Sequence, residues 1–527
     1  MESLSDYYRA LTEATKRVDL SILAMLGLFI FALSPAFVSK KKYGIPIVGY
    51  KSVFEPAWFL RLRFIRGSRS IIKQGYEKYR DLFVIRRWGT DVVIIGERKY
   101  LEEIRSKTKD SVRSVEPFLI DLAGDFFNQG QAFMESDLQN RVLQHKLTPN
   151  LVDLVPIMKS ELGFAMQKEL PDGAEDWVEV DLTHVFARTI ARIVARIWIG
   201  PEECRNEEWL EATTDFTENI FLTGFILRFV PRFLRPVVAP FLPTYRSILR
   251  SSANAHRIVG GLASKRSAGG SMKDGTAKPE DVLQWTMDLA NEKELEEKNL
   301  AERILVLSLS AIHTTALTMA QALFDLCAHP EHIETVRTEL VDVLRAEGEW
   351  SKTTLQNFSK LDSLLKESQR LNSVFLLTFN RYLPIPVTLS NGIHLPARTR
   401  IAVPQYAIIN DAANVPGVDP SQYDPWRYSR LREDPKNAQK YFFAMTDSTH
   451  MAFGYGKYAC PGRFFVSNEI KMTLAHLLLK YDWKFPEGCG RPKNFTIDSD
   501  MYPDRSARVL MRRRTVEKGI EELIGFS

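Results

Sequence analysis

The segment Phe453-Gly-Tyr-Gly-Lys-Tyr-Ala-Cys460-Pro-Gly-Arg463 constrains this chain more than any other. Glycines at 454 and 456 let the backbone turn tightly and lie close to a flat ligand. Cys460 then falls at the entrance of an apolar helix over about 461–480, with Pro461 where a missing N–H is tolerated. Free backbone N–H groups and the positive end of the helix dipole stabilise a thiolate in that place. A solitary cysteine is more often a buried structural residue, so the residues elsewhere in the chain decide between the two readings.

The 527 residues are 45% hydrophobic and 26% charged, an ordinary globular composition. A net charge of +5 is small and scattered, and no basic cluster alternates with aromatics, so the chain reads as having no nucleic-acid partner. Cys204, Cys327, Cys460 and Cys489 form no CxxC pair and match neither a zinc site nor a disulfide framework. Reduced thiols in a reducing compartment follow. The N-terminus departs from the soluble pattern. Leu20–Val38 is 19 residues without a charge, enough to cross a bilayer core as one helix. Lys40, Lys41 and Lys42 follow, against Lys16 and Arg17 on the other side, which places the rest of the chain on the cytoplasmic face. Residues 1–43 thus read as a membrane anchor and 44–527 as one catalytic domain.

β-branched residues concentrate at Leu82–Ile85 and Asp91–Ile95, predicting two strands. A long helical middle follows. Ala301–Ala328 is apolar around most of its circumference, which predicts a helix buried on most sides, and Leu361–Leu371 predicts another. Thr388–Ile401 reads as a hairpin about Asn391-Gly392, a two-residue turn. Residues 409–455 are rich in loops, and Ser264–Lys278 reads as a surface loop. The whole is mostly α with minor β.

The cysteine segment resembles the FxxGxxxCxG loop of the cytochrome P-450 family, with Phe453, Gly456, Cys460 and Gly462 on its fixed positions and Gly454 between them. Two further motifs agree in order. Glu367-Ser-Gln-Arg370 matches ExxR, and Tyr423-Asp-Pro-Trp-Arg427-Tyr428 resembles FxPxRF. Taken alone, Glu367 and Arg370 would be a helix-surface pair worth a few tenths of a kcal/mol. The resemblance implies instead a triad with Arg427 that locks the loop beneath a haem. It implies the cytochrome P-450 fold, haem b as cofactor and Cys460 as its axial metal ligand.

The central helix carries Ser310-Ala-Ile-His313-Thr314-Thr315, which resembles the family pattern (A/G)Gx(D/E)TT on the oxygen-binding face. Thr314, with Thr315 beside it, aligns with the threonine that helps deliver protons; its plain alternative is a helix threonine bonding its own i−4 carbonyl. His313 stands where the family has an acid. It is either a proton relay or a side chain turned away and bonded structurally. Arg381 occupies the place of a propionate ligand, and Tyr458 stands where Arg or His is common. A Trp/Arg pair of the family maps to Asn140 and Gln144, leaving Arg141, His145 or Lys146 as substitutes, or as a solvated basic face. His329-Pro-Glu-His332 matches the ordinary start of a family helix and reads as structural.

Stretches such as Arg113–Phe118, Leu222–Arg228, Ala311–Thr315 and Phe375–Arg381 are similar to the fungal ent-kaurene oxidase group of this family. That implies stepwise oxidation of a diterpene methyl to alcohol, aldehyde and acid. It also implies electrons from NADPH through cytochrome P-450 reductase, on the endoplasmic reticulum membrane. Apolar segments 115–120, 305–312, 374–377 and 501–502 would face the substrate, or are simply core. Residues 221–242 would dip into the bilayer. Other diterpene, indole-diterpene or meroterpenoid skeletons remain open. A haem-thiolate isomerase or dehydratase is a rival reading, as is a non-catalytic haem sensor.

Overall fold

The two β-branched runs form the strands β1 (Leu82–Arg87) and β2 (Thr90–Ile95), which follow the helix α1 (Ala57–Lys78). The computed structural model describes residues 41–52, 54–122, 131–171, 175–268, 278–417, 419–516 and 518–525. The expected membrane helix at Leu20–Val38 lies outside these residues, as does most of the loop read at Ser264–Lys278.

Helices dominate the middle: α2 (Leu151–Glu169), α3 (Leu182–Ile199), α4 (Glu207–Arg228), α5 (Pro243–Ala268) and α6 (Glu297–Ala328). α7 (Ile333–Glu347) and α8 (Ser359–Leu371) follow, then the strands β3 (Thr378–Leu383) and β4 (Thr399–Val403), and later α9 (Arg463–Lys480). The sheet order is β1-β2-β4-β3, with β2 and β4 parallel and the other pairs antiparallel. One apolar cluster joins the helices and a second backs this sheet. At 32 residues, α6 is about 48 Å long and packs against α3, α5, α8 and α9. It is apolar and long enough to span a bilayer, yet 67% of its most apolar window is buried inside the protein, so it is a core helix.

The hairpin differs from its sequence reading. Only Val387–Thr388 and His394–Leu395 pair, around the three residues 390–392, with Gly392 at φ +83°. The stretch Thr399–Val403 instead joins the main sheet, because all five of its residues are buried and need partners on both sides.

A buried charge network ties the outer elements together. Arg87 on β1 grips Asp498 through two bonds of 2.8 and 2.6 Å and reaches Asp121 at 3.1 Å. Arg400 on β4 holds Asp121 at 2.7 and 2.9 Å, and Arg228, the last residue of α4, holds Asp498 at 2.5 Å. Asp500 is enclosed beside them. Burial, together with the charge of Asp498, pushes its carboxyl from 3.8 to about 7 against the pull of Arg87 and Arg228. Between those two values the folded chain holds a proton that the unfolded chain has released. This contribution is therefore greatest at the acid end and is lost as pH rises through about 7. Asp500 should thus add a downward slope to the melting stability of the haem-loaded chain between about pH 5 and pH 7. Asp500→Asn, which keeps the shape without the charge, should flatten that fall. An unchanged slope would remove Asp500 from the network's titration.

Candidate active site

The α8 helix gathers Asp362, Ser363, Lys366, Glu367 and Arg370 along one face by its 3.6-residue period, and all five are buried. Each grips the long segment that leads to the cysteine loop. The Glu367 carboxylate accepts from Nε and Nη2 of Arg370 at 2.9 and 2.7 Å, and from the same groups of Arg427 at 3.2 and 3.3 Å. The Asp424 N–H adds a bond of 3.1 Å. Arg370 and Arg427 spend further N–H groups on the carbonyls of Pro416, Pro420 and Gln422. Asp362 accepts from the Phe443 N–H and pairs with Arg432 and Lys471. Lys366 donates to the carbonyls of Phe442 and Met445, and burial pushes its amine down to about 8. The Glu–Arg–Arg triad expected from the sequence is present.

The loop itself is closed by its own backbone. The Cys460 N–H donates to the Phe453 carbonyl at 2.7 Å, Gly454 N–H to Met451 at 2.8 Å, and Ala459 N–H to Gly456 at 3.0 Å. Gly454 sits at φ +76°, where an added Cβ would come within 3.3 Å of the Tyr458 carbonyl oxygen. Gly456 sits at φ +69°, where an added Cβ would stand 3.0 Å from Cδ of Arg105. Phe453 packs edge-on against Phe443. The helix proper starts at Arg463 with Gly462 as N-cap, so Cys460 stands just outside it. Backbone N–H groups of Gly462 and Arg463 reach its sulfur. Burial pushes the thiol up, while those two donors and the Arg463 charge pull it down.

Along α6, three consecutive side chains turn to three different neighbours. Ser310 is exposed and Thr314 half-exposed in the middle of a largely buried helix, so the face they share is open there. The Thr314 hydroxyl donates to the Ser310 carbonyl at 2.8 Å, the i−4 bond that the plain reading anticipates. Thr315 is 1% exposed, and its hydroxyl has no hydrogen-bond partner among the described residues. It faces the core rather than the open face. The His313 ring bonds the Thr214 carbonyl of α4, its Nε2 being buried without a partner among the described residues. Burial holds its pKa below the usual histidine value, which leaves the ring neutral. Of the three residues expected to be catalytic, Thr314 is partly exposed beside Ser310, His313 meets α4 and Thr315 is buried.

Arg381 and Tyr458 meet in one cleft with Arg105, Lys107 and Lys457. Arg381 lies over the rings of Phe379 and Tyr458 at 3.9 and 4.8 Å and donates to the Asn380 carbonyl at 2.8 Å. Among the described residues no carboxylate pairs with it, and burial pushes it down to about 10. Arg141, His145 and Lys146, left open as substitutes, do not line this cleft. Arg141 is spent on Asp137 at 3.5 Å, and His145 is exposed. Arg105, Lys107 and Lys457 escaped the sequence reading, because basic residues on short surface elements carry no pattern until the fold brings them together.

A family model described as Cytochrome P450 matches residues 56–507. The chain is a cytochrome P450. Ent-kaurene oxidase P450-4 of Gibberella fujikuroi is 53% identical over 475 residues, 90% of this chain and 93% of its own length. Cytochrome P450 monooxygenase paxP of Penicillium paxilli is 35% identical over 526 residues, 98% of this chain and 99% of its own. A solved structure, retinoic acid bound cyanobacterial CYP120A1, superposes with a TM-score of 0.64 at 18% identity, over 84% of this chain and 94% of that one; it supports the fold alone. This P450 is thus a haem b monooxygenase with the family's dependence on NADPH and oxygen.

The residues present fit the haem. A cysteine sulfur with two backbone donors suits a thiolate ligand. Glycines at positive φ leave the loop free of side chains that would stand off the ring. A buried guanidinium without a carboxylate, among further cations, suits the propionates. All of this rests on α8. Removing the Glu367 carboxylate leaves two buried guanidinium groups uncompensated, so Glu367→Ala should cost about 3–5 kcal/mol and sharply lower haem content after purification. A melting temperature and haem content equal to the parent would show that the triad does not hold the loop.

Proposed function

We propose that this P450 oxidises one methyl group of a tetracyclic diterpene of the ent-kaurene type stepwise to alcohol, aldehyde and carboxylic acid. The observation that carries this reading is 53% identity over 475 residues to an ent-kaurene oxidase, extending across the segments that wall the site. The walls are drawn together by backbone contacts. Leu376 N–H donates to Ser499 and Met501 N–H to Val374, both at 2.8 Å. Gly224 of α4 lies so close to Leu122 that an added Cβ would stand 2.9 Å from its Cα. Leu376, Leu377 and Met501 belong to the core cluster behind the sheet. Phe118 and Phe375, 38% and 42% exposed, are left to offer apolar surface to a hydrocarbon.

When bound, the haem held by Cys460 supplies the oxygen activation that inserts an oxygen atom into a C–H bond. The protein's part is binding and proton placement. Arg381, with Tyr458 and the cations beside it, fixes the propionate edge. Thr314 holds a hydroxyl proton on the open face of α6, relayed no further than the Ser310 carbonyl in this state. His313, neutral and tied to α4, positions the roof of the cavity rather than touching the reacting atoms.

The chain would work at the endoplasmic reticulum, its catalytic domain on the cytoplasmic side and a P450 reductase as electron donor. Residues 1–43 are the proposed anchor. Phe233 and Phe241, 77% and 74% exposed beside Arg232 and Arg235, present an apolar, basic surface next to α4 that suits a lipid interface. It would give a lipophilic substrate a route from the bilayer. Microsomes holding this protein, a fungal reductase and NADPH, fed ent-kaurene, should yield the alcohol, aldehyde and acid in succession. A normal reduced carbon-monoxide spectrum without any kaurene-derived product would move the substrate to another terpenoid skeleton.

A further inference from the structure

The turn after α6 carries His329, Pro330, Glu331 and His332, read from the sequence only as the opening of the next helix. In the structure Nδ1 of His329 lies 3.4 Å from a carboxylate oxygen of Glu331, and Nε2 of His332 lies 3.8 Å from the same oxygen. All three donor atoms fall within 4.8 Å of one another. Donors at about 2.0–2.1 Å from a tetrahedral zinc ion stand about 3.3–3.4 Å apart. One edge of such a site is already at that spacing, and the others close with small side-chain shifts.

The two imidazoles are held by their surroundings, while Glu331 stays exposed. The His332 N–H donates to the His329 carbonyl at 3.0 Å, which folds the two rings onto one side of the turn. The His329 ring stacks on Tyr423 at 5.0 Å and 24°, and the edge of His332 meets Trp426 at 5.4 Å and 81°. The two rings keep little rotamer freedom for an ion to remove. Asp424 adds negative charge close to His332. The half-exposed turn leaves a fourth position to water, the pattern of an open three-ligand site. Two imidazoles and one carboxylate select a borderline transition cation over calcium or magnesium, which take oxygen ligands.

We propose that His329, Glu331 and His332 form a zinc site at the junction of α6 and α7, separate from the haem. Bound zinc would fix the angle between these helices. It would also stiffen the turn against Tyr423–Trp426, the segment whose Asp424 N–H binds Glu367. The proposal rests on no part of the substrate reading.

The test is calorimetric titration of zinc chloride into the haem-loaded full chain, with calcium chloride as control. Glu331→Gln removes the charge from an exposed side chain, and His332→Phe keeps a ring against Trp426 without a donor. The expected result is saturable binding of one zinc ion per chain and no calcium binding. Each variant should weaken zinc binding at least about ten-fold with an unchanged reduced carbon-monoxide spectrum. Zinc should raise the melting temperature of the parent and leave that of the variants in place. No saturable zinc binding, equal calcium binding, or variants that bind zinc as tightly as the parent would each overturn the site.

Discussion

The carboxylate of Glu367 receives two guanidinium groups and a backbone N–H in a place that water does not reach. Its ion pairs would be nearly worthless on the surface. Here they count for more, because losing the carboxylate leaves two buried guanidinium groups with no charge opposite them. The two arginines do more than neutralise it. Their remaining N–H groups collect carbonyls from residues 416–422, so a stretch with little regular structure acquires one conformation. The neighbouring positions on α8 repeat the device: Asp362 and Lys366 fix Phe442, Phe443 and Met445, the approach to the cysteine loop. A single polar face of a helix thereby transmits its rigidity to Cys460, which lies nearly a hundred residues on in the chain.

The opposite wall follows a different physics. α6 is buried on most of its surface, and it opens in its middle at Ser310, with Thr314, Leu317 and Thr318 partly exposed along the same side. Adjacent residues on a helix point about 100° apart, which carries Thr315 away from that opening. The hydroxyl of Thr315 goes to the core and the imidazole of His313 to α4. Around the rim, the Arg87, Arg228, Arg400, Asp121 and Asp498 network clamps the elements that wall the cavity. That arrangement leaves the apolar interior to the substrate and puts the charges behind it.

What the sequence makes legible is what lies close along the chain. The two strands, the central helix, the glycine-flanked cysteine and the ExxR pair are local patterns, and all stand where their spacing puts them. Arg427 as the third member of the triad was legible only through resemblance, since it lies sixty residues from Glu367. Contacts without a local signature were not legible. Arg87 reaches Asp498 across 411 positions, and the cleft around Arg381 draws its cations from three short elements. The hairpin reading failed at Thr399–Val403, where burial on both faces outweighed the turn signal. Where Thr315 and His313 point was not legible either, since helix geometry names a face only once the neighbours are known; Thr315 is buried and His313 meets α4.

The reduced carbon-monoxide difference spectrum of the parent and of Cys460→Ala tests the central claim most directly. The parent should show the thiolate-type band, and the variant should lose it together with all turnover. A variant that keeps the thiolate-type band would contradict the account. The iron ligand would then have to be sought at Cys204, Cys327 or Cys489, and the loop that α8 holds so firmly would need another purpose.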